Sequence, residues 1–380
     1  MYQRLLDLNA LLGKKSFFLF GPRMTGKTTL IHETLEGIQF FDLLKRDHFR
    51  RLVQNPELLA ELDPNKTVVI DEIQKLPTLL DEVHRLIEGR KMRFLLTGSS
   101  ARKLRRGASN LLAGRAWQAN LFPLTRKEIP KFNLLRYLNR GGLPHIYPAD
   151  DAEEELAEYV SLYLREEILA EAATRNIEAF SEFIDLAGRS NGHEINYQSF
   201  ASDCGVSVNT VKNYFQILDD TLVGFSLRAF IGTKKRKAIT RSKHYFFDIG
   251  VVNTLANTGE VKDNSNALGP AFEHFIILEL RAYLSYVRAR KQLRYWRSTS
   301  RFEVDVIIGD ELALEIKSAG NILKKHLKGL RALKEEGLIK NYAVVSRDPI
   351  LRTTDDGITC YPWEHFLDDL WSGRLLKKSG

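Results

Sequence analysis

The stretch Ser16-Phe17-Phe18-Leu19-Phe20-Gly21-Pro22-Arg23-Met24-Thr25-Gly26-Lys27-Thr28 decides the fold of the first part of this chain. Its first five residues form a short apolar run, which is typical of a buried strand. A glycine-bounded loop follows at once, and Thr28-Thr29-Leu30-Ile31 is suited to open a helix. Strand, G-x-x-x-x-G-K-T and helix form the complete context of a phosphate-binding loop, so a chance glycine turn is a weak alternative.

The residue types in this loop match the chemistry of nucleotide binding. Glycines allow backbone N–H groups to curl round phosphates, and the helix N-terminus adds positive potential. Lys27 is placed to reach the β- and γ-phosphates, while the Thr28 hydroxyl ligates magnesium. We therefore expect ATP and Mg²⁺ as cofactors. The predicted cofactor-binding residues of the loop are Gly21, Pro22, Arg23, Met24, Thr25, Gly26, Lys27, Thr28 and Thr29.

Two further apolar runs end in polar side chains that suit the same site. The run over residues 67–70 is followed by Asp71 and Glu72. We expect Asp71 to hold the magnesium ion and Glu72 to polarise the attacking water. The next run, over residues 93–100, ends in small polar side chains. Of these we favour Ser99 as a sensor of the γ-phosphate, with Thr97 as the reserve.

A basic segment follows, from Arg102 to Arg106 and again at Arg115. Such arginines suit either the γ-phosphate of a neighbouring subunit or a DNA backbone. A solvated basic loop is an equally good interpretation of each single arginine. We predict that Arg115 is a catalytic finger supplied in trans, which implies a ring or other homo-oligomer.

The order of these motifs resembles that of a known family. The motifs after the phosphate-binding loop are Val68-Val69-Ile70-Asp71-Glu72, Leu95-Leu96-Thr97-Gly98-Ser99-Ser100, Leu112-Ala113-Gly114-Arg115, Phe122-Pro123-Leu124-Thr125-Arg126-Lys127-Glu128, Gly141-Gly142-Leu143-Pro144 and Phe247-Asp248-Ile249-Gly250. The chain is similar to prokaryotic AAA+-type ATPases, related to archaeal ATPases, that carry a C-terminal restriction-endonuclease-like domain. The resemblance covers nearly the whole chain and implies an ATP hydrolase.

Length and composition limit the number of domains and the class of protein. The 380 residues suffice for two or three domains. Lys and Arg exceed Asp and Glu by 56 − 48 = 8, which suits a nucleic-acid partner or plain solubility. Only Cys204 and Cys360 occur, which excludes a disulfide framework and a Cys-rich zinc site. The sequence has no signal-peptide pattern and no apolar run of roughly 20 residues, so we expect a cytoplasmic protein with no membrane partner.

The middle of the chain predicts a helical lid and a winged helix. Apolar side chains recur at helical spacing within residues 151–188, which indicates a small lid over the nucleotide. The spacing of Ala201, Gly205 and Val211 is typical of a helix-turn-helix. Residues 207–218 form the predicted recognition helix. Its exposed side chains, suited to bases or phosphates, are Asn209, Lys212, Asn213 and Gln216.

A basic run follows the predicted wing strands of residues 221–231. It consists of Lys234, Lys235, Arg236 and Lys237, with Arg241 and Lys243 nearby. Helix-turn-helix units also serve as protein–protein modules, so the motif alone leaves the partner open. The adjacent basic run favours DNA.

Acidic side chains of the C-terminal part suggest a second site. Glu273 shares an apolar helix face with Ile277 and Leu280, and a carboxylate there is costly unless it is paired or metal-bound. Asp305 and Glu315 lie in two predicted strands. A two-residue turn between these strands would place the two acids on opposite faces. We predict a three-residue loop, residues 309–311, or a compensating bulge, which puts them on one face.

If these acids converge, Glu273, Asp305 and Glu315 can ligate Mg²⁺ or Mn²⁺. Lys317 would orient a water molecule or stabilise the charge on a phosphodiester. This arrangement resembles the PD-(D/E)xK motif, with Val304 in place of its proline. The alternative is an ordinary sheet edge with charges in water.

Together these patterns predict an α/β protein with four parts. They are a P-loop AAA+-like ATPase domain (1–140), a helical lid (141–190), a winged helix-turn-helix (191–245) and a restriction-endonuclease-like α/β domain (246–380). The leading function is ATP binding and hydrolysis coupled to binding or remodelling of DNA, branched DNA included, with metal-dependent cleavage as a further activity. Two alternatives stay open: a nucleotide-switched DNA-binding regulator that does not cut, and a signalling ATPase whose winged helix binds protein.

Overall fold

Two β-sheets organise the chain. The computed structural model describes residues 2–98, 115–164, 168 and 176–376, which form a mixed α/β structure. A five-stranded sheet belongs to the N-terminal part and an eight-stranded sheet to the C-terminal part.

The first sheet is parallel and carries the nucleotide motifs at one edge. Its strands are β1 (Ser16–Phe20), β2 (Gln39–Asp42), β3 (Val68–Asp71), β4 (Phe94–Gly98) and β5 (Ala116–Asn120), in the order β2-β3-β4-β1-β5. All neighbouring strands run parallel. The residues that follow β1, β3 and β4 therefore meet at the carboxyl edge of the sheet, where open α/β folds bind ligands.

Apolar side chains on both faces bury this sheet. Phe17 and Leu19 of β1 belong to one core cluster, and Phe18 and Phe20 belong to another. This alternation follows from the two-residue period of a strand. The helices around the sheet are α1 (Leu8–Leu12), α2 (Lys27–Thr34), α3 (Arg46–Gln54) and α4 (Leu79–Arg90), with short 3-10 turns at Pro56–Glu61 and Ile73–Lys75.

The middle segment is helical and touches the phosphate-binding loop. After a 3-10 turn at Arg126–Glu128, its elements are α5 (Leu134–Arg140), α6 (Ala152–Glu158), a π-helical stretch (Tyr159–Leu164) and α7 (Ile177–Arg189). The Tyr159 hydroxyl donates a hydrogen bond to the Arg23 carbonyl at 3.3 Å. This contact gives the predicted lid segment a direct link to the loop.

A helix, a tight turn and a second helix follow, as the spacing of Ala201, Gly205 and Val211 predicts. They are α8 (Tyr197–Asp203) and α9 (Val208–Asp220). Ala201 and Val211 are buried in the same hydrophobic cluster. Gly205 makes the turn with a left-handed backbone (φ +61°), which glycine adopts at low cost.

The second sheet joins the region after this motif to the C-terminal part. Its strands are β6 (Gly224–Ala229), β7 (Lys243–Phe246), β8 (Leu293–Arg297), β9 (Glu303–Ile308), β10 (Leu312–Lys317), β11 (Asn341–Ser346), β12 (Arg352–Thr353) and β13 (Ile358–Pro362), in the order β12-β13-β11-β10-β9-β8-β6-β7. Its helical elements are α10 (Ile249–Leu255), α11 (Leu268–Tyr286), a 3-10 turn at Lys324–Leu327, α12 (Lys328–Lys334) and α13 (Trp363–Trp371).

The wing differs from the sequence-based prediction. Residues 221–231 contribute one strand, β6, and its antiparallel partner β7 begins only at Lys243. β6 also pairs in parallel with β8, through Arg228 opposite Arg294. The predicted boundary at residue 245 therefore lies within one continuous sheet, and the four predicted domain ranges stay predictions.

Helix α11 connects the two parts of the chain. Its Glu279 accepts hydrogen bonds from the Arg126 backbone N–H (2.6 Å) and from the Trp371 indole (2.7 Å). The Tyr286 hydroxyl accepts one from the Phe122 N–H at 3.2 Å. Because Arg126 and Phe122 follow the first sheet, the helix bridges both sheets. Within the described residues, no helix is both long and apolar enough to cross a membrane.

Candidate functional site

Backbone conformation shapes the phosphate-binding loop. Gly26 (φ +87°) and Met24 (φ +62°) are left-handed, and α2 begins directly after Gly26. A Cβ atom on Gly21 would lie 2.5 Å from the Leu121 carbonyl oxygen, so a side chain there would displace the neighbouring backbone. The loop therefore needs glycine at both ends, and the helix N-terminus opens into it.

Lys27 lies inside this loop. It is 7% exposed, and its Nζ donates to the carbonyl oxygens of Gly21 (2.7 Å) and Pro22 (3.1 Å). Pro22 O also accepts from Thr25 Oγ1 at 2.8 Å. The ammonium group is thus held where phosphate oxygens would enter the loop. Of the remaining predicted loop residues, Arg23 is half-buried and Thr28 and Thr29 are exposed.

Asp71 connects three elements of the first sheet. Its Oδ2 accepts a hydrogen bond from the Thr28 hydroxyl at 2.8 Å, and its Oδ1 accepts one from the Thr97 hydroxyl. Thr97 Oγ1 in turn accepts the N–H of Glu72 at 3.1 Å. The loop threonine, the acid of β3 and a hydroxyl of β4 therefore meet at one point.

Glu72 follows Asp71 in a left-handed conformation (φ +60°). For a glutamate this conformation is uncommon, and such positions cluster at functional sites. Its carboxylate accepts a hydrogen bond from the Gln74 side chain. Burial raises the pKa of Glu72 and nearby Asp71 adds to this, while Lys27 acts in the opposite direction. A raised pKa makes a carboxylate a stronger proton acceptor.

Ser99, our preferred γ-phosphate sensor, lies outside the described residues, and its role stays a prediction. Thr97, the reserve, sits next to Asp71 because β3 and β4 are paired, with Ile70 opposite Leu96.

Arg115 lies at the start of β5, since Ala116 is opposite Ser16. The phosphate-binding loop follows Phe20 at the other end of the sheet. Arg115 Nε contacts Glu88 Oε1 of the same chain at 2.6 Å.

The predicted DNA-contact residues lie on two surfaces. On α9, the exposed side chains include Asn209, Lys212, Asn213 and Gln216. Lys212 Nζ lies 5.7 Å from the centre of the Tyr197 ring, and Gln216 donates to Asp220 at 2.9 Å.

The basic run is partly neutralised by acids at the end of α12. The backbone N–H groups of Lys234, Lys235 and Arg236 donate to the Glu336 carboxylate at 2.9–3.1 Å. The Arg236 side chain also pairs with Glu335 at 2.5 Å. The side chains of Lys234, Lys235 and Lys237 are exposed. The Lys235 Nζ also donates to Glu335 O at 2.6 Å. Lys235 and Arg236 are therefore engaged within the chain, and Lys234 and Lys237 present their side chains to solvent.

The acids of the second sheet converge as the loop-length argument predicts. β9 and β10 are antiparallel with Ile308 opposite Leu312 and Val306 opposite Leu314, which leaves the three-residue loop 309–311. Asp305 and Glu315 are the next residues beyond this paired register, and both carboxylates contact the Lys317 ammonium. The prediction that they share one face is therefore confirmed. Asp305 Oδ2 accepts the Ile316 N–H at 2.7 Å.

Lys317 lies between the two acids. Its Nζ is 2.7 Å from Glu315 Oε1 and 3.3 Å from Asp305 Oδ2. Burial raises the pKa of Glu315 well above its usual value, and Asp305 raises it further. Burial alone would lower the pKa of Lys317, but the two carboxylates raise it instead. Glu315 Oε2 is buried and has no hydrogen-bond partner among the described residues.

Glu273, the third predicted metal ligand, contacts two other side chains, Tyr245 and Lys243. Its Oε1 accepts from the Tyr245 hydroxyl at 2.7 Å and lies 3.5 Å from Lys243 Nζ. Lys243 also contacts Glu303 Oε1 at 2.8 Å. These side chains help to line a cavity of about 250 Å³. Sequence reasoning treated Lys243 only as a nearby cation, because nothing in its spacing marks it as the partner of two distant acids.

The three predicted metal ligands do not form a ready metal site. In the described parts of the chain, no group of three or more His, Cys, Asp and Glu side chains is arranged to hold a metal ion. Glu273 is engaged by Tyr245 and Lys243, which leaves Asp305 and Glu315 with Lys317 between them. Two carboxylates provide hard oxygen ligands, but fewer than a complete protein site for a divalent cation.

Family comparisons divide the chain into three segments. Residues 13–130 match the family described as AAA domain. Residues 131–262 and 268–366 match two domains of unknown function, DUF8612 and DUF4143. The AAA match covers the parallel sheet, the loop, Asp71 and Glu72, so the N-terminal part carries an AAA-type P-loop domain. The description of the C-terminal match names no nuclease, so that interpretation rests on the side chains.

Two similar whole proteins are described as uncharacterized proteins. One from Mycobacterium tuberculosis is 27% identical over 314 residues, which cover 79% of this chain and 69% of that protein. One from Methanocaldococcus jannaschii is 24% identical over 340 residues, covering 79% and 74%.

Two solved structures are weakly similar to this chain. The Aeropyrum pernix ORC1 protein in complex with DNA is 12% identical, covers 64% of this chain and 87% of that one, and has a TM-score of 0.26. Drosophila ORC bound to AT-rich DNA and Cdc6 is 9% identical, covers 64% and 86%, and has a TM-score of 0.23. Scores this low carry no argument about fold or partner.

Proposed function

We propose that this chain binds ATP with Mg²⁺ and hydrolyses it. The observation that carries the proposal is the convergence on Asp71, whose carboxylate accepts hydrogen bonds from Thr28 of the loop and Thr97 of β4. A buried lysine inside the adjacent loop and a helix N-terminus supply the positive potential that a triphosphate requires.

Each side chain has a distinct role in this proposal. Lys27 and the loop N–H groups bind the phosphates. Thr28 and Asp71 offer the hard oxygen ligands that Mg²⁺ prefers, and the bound ion would neutralise phosphate charge. Glu72 accepts the proton of the attacking water, which its raised pKa favours. Thr97 holds the Glu72 backbone in place.

Two variants test this assignment in steady-state ATPase and ATP-binding measurements. Glu72→Gln keeps the side-chain shape but removes the base, so we expect near-normal ATP affinity and hydrolysis slower by about 10²–10⁴-fold. Lys27→Ala should abolish binding itself. Normal turnover in Glu72→Gln would refute the role of Glu72, and normal affinity in Lys27→Ala would refute nucleotide binding in the loop.

We propose further that Arg115 acts on the nucleotide of a neighbouring copy. Arg115 lies five residue steps before Asn120, which is opposite Phe20, so about 17 Å of strand separates it from the start of the loop in its own chain. Mixing Arg115→Ala with Lys27→Ala protein should restore ATPase activity, because each protein supplies the group that the other lacks. Two separately inactive variants that stay inactive when mixed would argue against a shared site.

DNA is the partner that we propose for α9 and the basic run. The exposed polar face of α9, the exposed lysines near residue 235 and the net charge of +8 support this. The Lys212→Ala and Lys237→Ala variants should weaken duplex binding, and each should reduce the salt dependence by about one unit of slope. Lys14→Ala, an exposed cation near α1, is the matched control.

A flat salt response, or no DNA binding, would favour the alternative of a signalling ATPase whose helix-turn-helix binds protein. ATPase rates measured with duplex, single-stranded and branched DNA would then be equal. Stimulation by one of these forms would identify the DNA structure on which the ATPase acts.

Phosphodiester cleavage is a second candidate function. The observation that favours it is the unpartnered, buried Glu315 Oε2 beside Asp305 and Lys317. Asp305 and Glu315 would hold a divalent cation that activates a phosphodiester for hydrolysis. Lys317 would stabilise the negative charge that develops on the phosphate.

A nicking assay with Mg²⁺ or Mn²⁺ tests this second function. We expect cutting by wild type, none by Asp305→Asn, and unchanged ATP hydrolysis in both proteins. Absence of cutting on duplex, single-stranded and branched DNA would favour a nucleotide-switched regulator that binds DNA without cleaving it.

A further inference from the structure

Arg4 contacts the outer side of the phosphate-binding loop. Its side chain is 5% exposed and spans three acceptors on separate segments. Nη1 donates to Thr25 O at 2.7 Å, Nη2 to Phe122 O at 2.6 Å, and Nε to Glu128 Oε1 at 3.0 Å. Arg4 precedes the residues that match the AAA domain family, which begin at residue 13.

We propose that Arg4 is a positioning residue for nucleotide binding, an inference that rests on the proposed ATP site. The reason is the geometry of one peptide unit. In a planar trans peptide, the carbonyl of Thr25 and the N–H of Gly26 point in opposite directions. By holding Thr25 O against the back of the loop, Arg4 directs the Gly26 N–H to the other side, where a phosphate binds.

Glu128 fixes Arg4 in turn. This carboxylate is fully buried, and besides Arg4 it accepts the N–H groups of Leu5 (2.7 Å) and Thr125 (2.9 Å). The guanidinium is therefore anchored before any nucleotide arrives. A loop that is pre-ordered in this way loses less freedom on binding, which increases affinity.

The contacts of Arg4 extend through Phe122 to helix α11. Phe122, whose carbonyl accepts from Arg4, donates its own N–H to the Tyr286 hydroxyl at 3.2 Å. The outer side of the phosphate-binding loop is thus held against a helix of the C-terminal part.

Arg4→Lys separates positioning from plain stability in the full-length protein. A lysine keeps the charge beside buried Glu128, but its single nitrogen cannot hold the three separate acceptors at once. We expect the melting temperature to stay within a few degrees, the Kd and KM for MgATP to rise about tenfold, and kcat to change by less than about threefold. Lys14→Met, an exposed cation outside the loop contacts, should match wild type.

Amide hydrogen exchange over residues 21–28 of the nucleotide-free protein provides a second measurement. Arg4→Lys should speed this exchange, while Lys14→Met should not. Arg4→Met leaves Glu128 buried and unpaired, so it should also lower the melting temperature, and Arg4→Lys should recover that loss.

The outcomes separate this inference from the proposed function. Wild-type protein that binds no ATP refutes the proposed function, and exchange in the nucleotide-free variants still decides the role of Arg4. Normal exchange and normal KM in Arg4→Lys would overturn the inference. Equal losses of kcat and stability in both variants, without a KM effect, would also overturn it by showing a structural role alone.

Discussion

Replacement of Glu279 by glutamine probes the contact between the ATP-binding part and helix α11. Glu279 is 2% exposed and accepts hydrogen bonds from the Arg126 N–H and the Trp371 indole. Burial raises the pKa of Glu279 from 4.5 to about 7, a change that the donors at Arg126 and Trp371 only partly oppose. The folded protein therefore holds a proton on this carboxyl group at pH values where the unfolded chain has released it.

The sign and size of the effect follow from this difference in pKa. Between pH 4.5 and pH 7 the folded state binds more protons than the unfolded state, so stability falls as pH rises. The shift of 7 − 4.5 = 2.5 units corresponds to about 3 kcal/mol in total, of which about 2.5 kcal/mol is lost between pH 5 and pH 8. Glutamine does not titrate, so Glu279→Gln should lack this part of the pH dependence.

Urea unfolding of wild type and variant at pH 5, 6.5 and 8 measures the difference. The free energy of unfolding of Glu279→Gln minus that of wild type should increase by about 2.5 kcal/mol from pH 5 to pH 8, because only wild type loses stability over this range. Other titrating groups cancel in this comparison. Glu260→Gln, at an exposed ion pair with Lys262, is the matched control and should show no such trend. Parallel pH profiles for wild type and Glu279→Gln would refute the reasoning.

Two further predictions concern the nucleotide site and the turn that follows α5. Thr97→Val removes the hydroxyl between Asp71 and Glu72, so ATP turnover should fall at least about tenfold while the KM for ATP stays within about threefold. Similar kcat for variant and wild type would contradict the role of that hydroxyl. Gly141 has a φ of +72°, and Gly141→Ala would place a Cβ 1.9 Å from Asp248 Oδ1. Thermal denaturation should therefore show that the free energy of unfolding falls by at least about 3 kcal/mol. Gly89→Ala in α4, where a Cβ meets no atom within 4 Å, is the control and should be neutral or stabilising, and equal melting temperatures for the two variants would contradict the steric argument.

Features carried by a short stretch of sequence were predictable. The phosphate-binding loop is one example, because β1, the loop and α2 are contiguous. The joint face of Asp305 and Glu315 is another, since it depends only on strand period and the length of the loop between them. In both cases the controlling interactions are local.

Features that depend on distant segments were not predictable. Glu336 accepts three N–H groups of the basic run across about 100 positions in sequence, and no periodicity indicates that contact. The same holds for Lys243 between Glu273 and Glu303, and for Arg4 behind Thr25. Tertiary packing, rather than local pattern, decides which charges remain available for a ligand.

The pairing of β6 with β8 has a consequence for how the protein is made. β6 ends at Ala229, but the strand that covers its open edge is complete only at Arg297. A ribosome adding 5–20 residues per second needs roughly 3–14 s to synthesise the residues between them. During that interval the hairpin partner β7 can form while the other edge of β6 stays unpaired and open to association with other chains. Slower synthesis through residues 230–297 should therefore increase the demand of the nascent chain for chaperones.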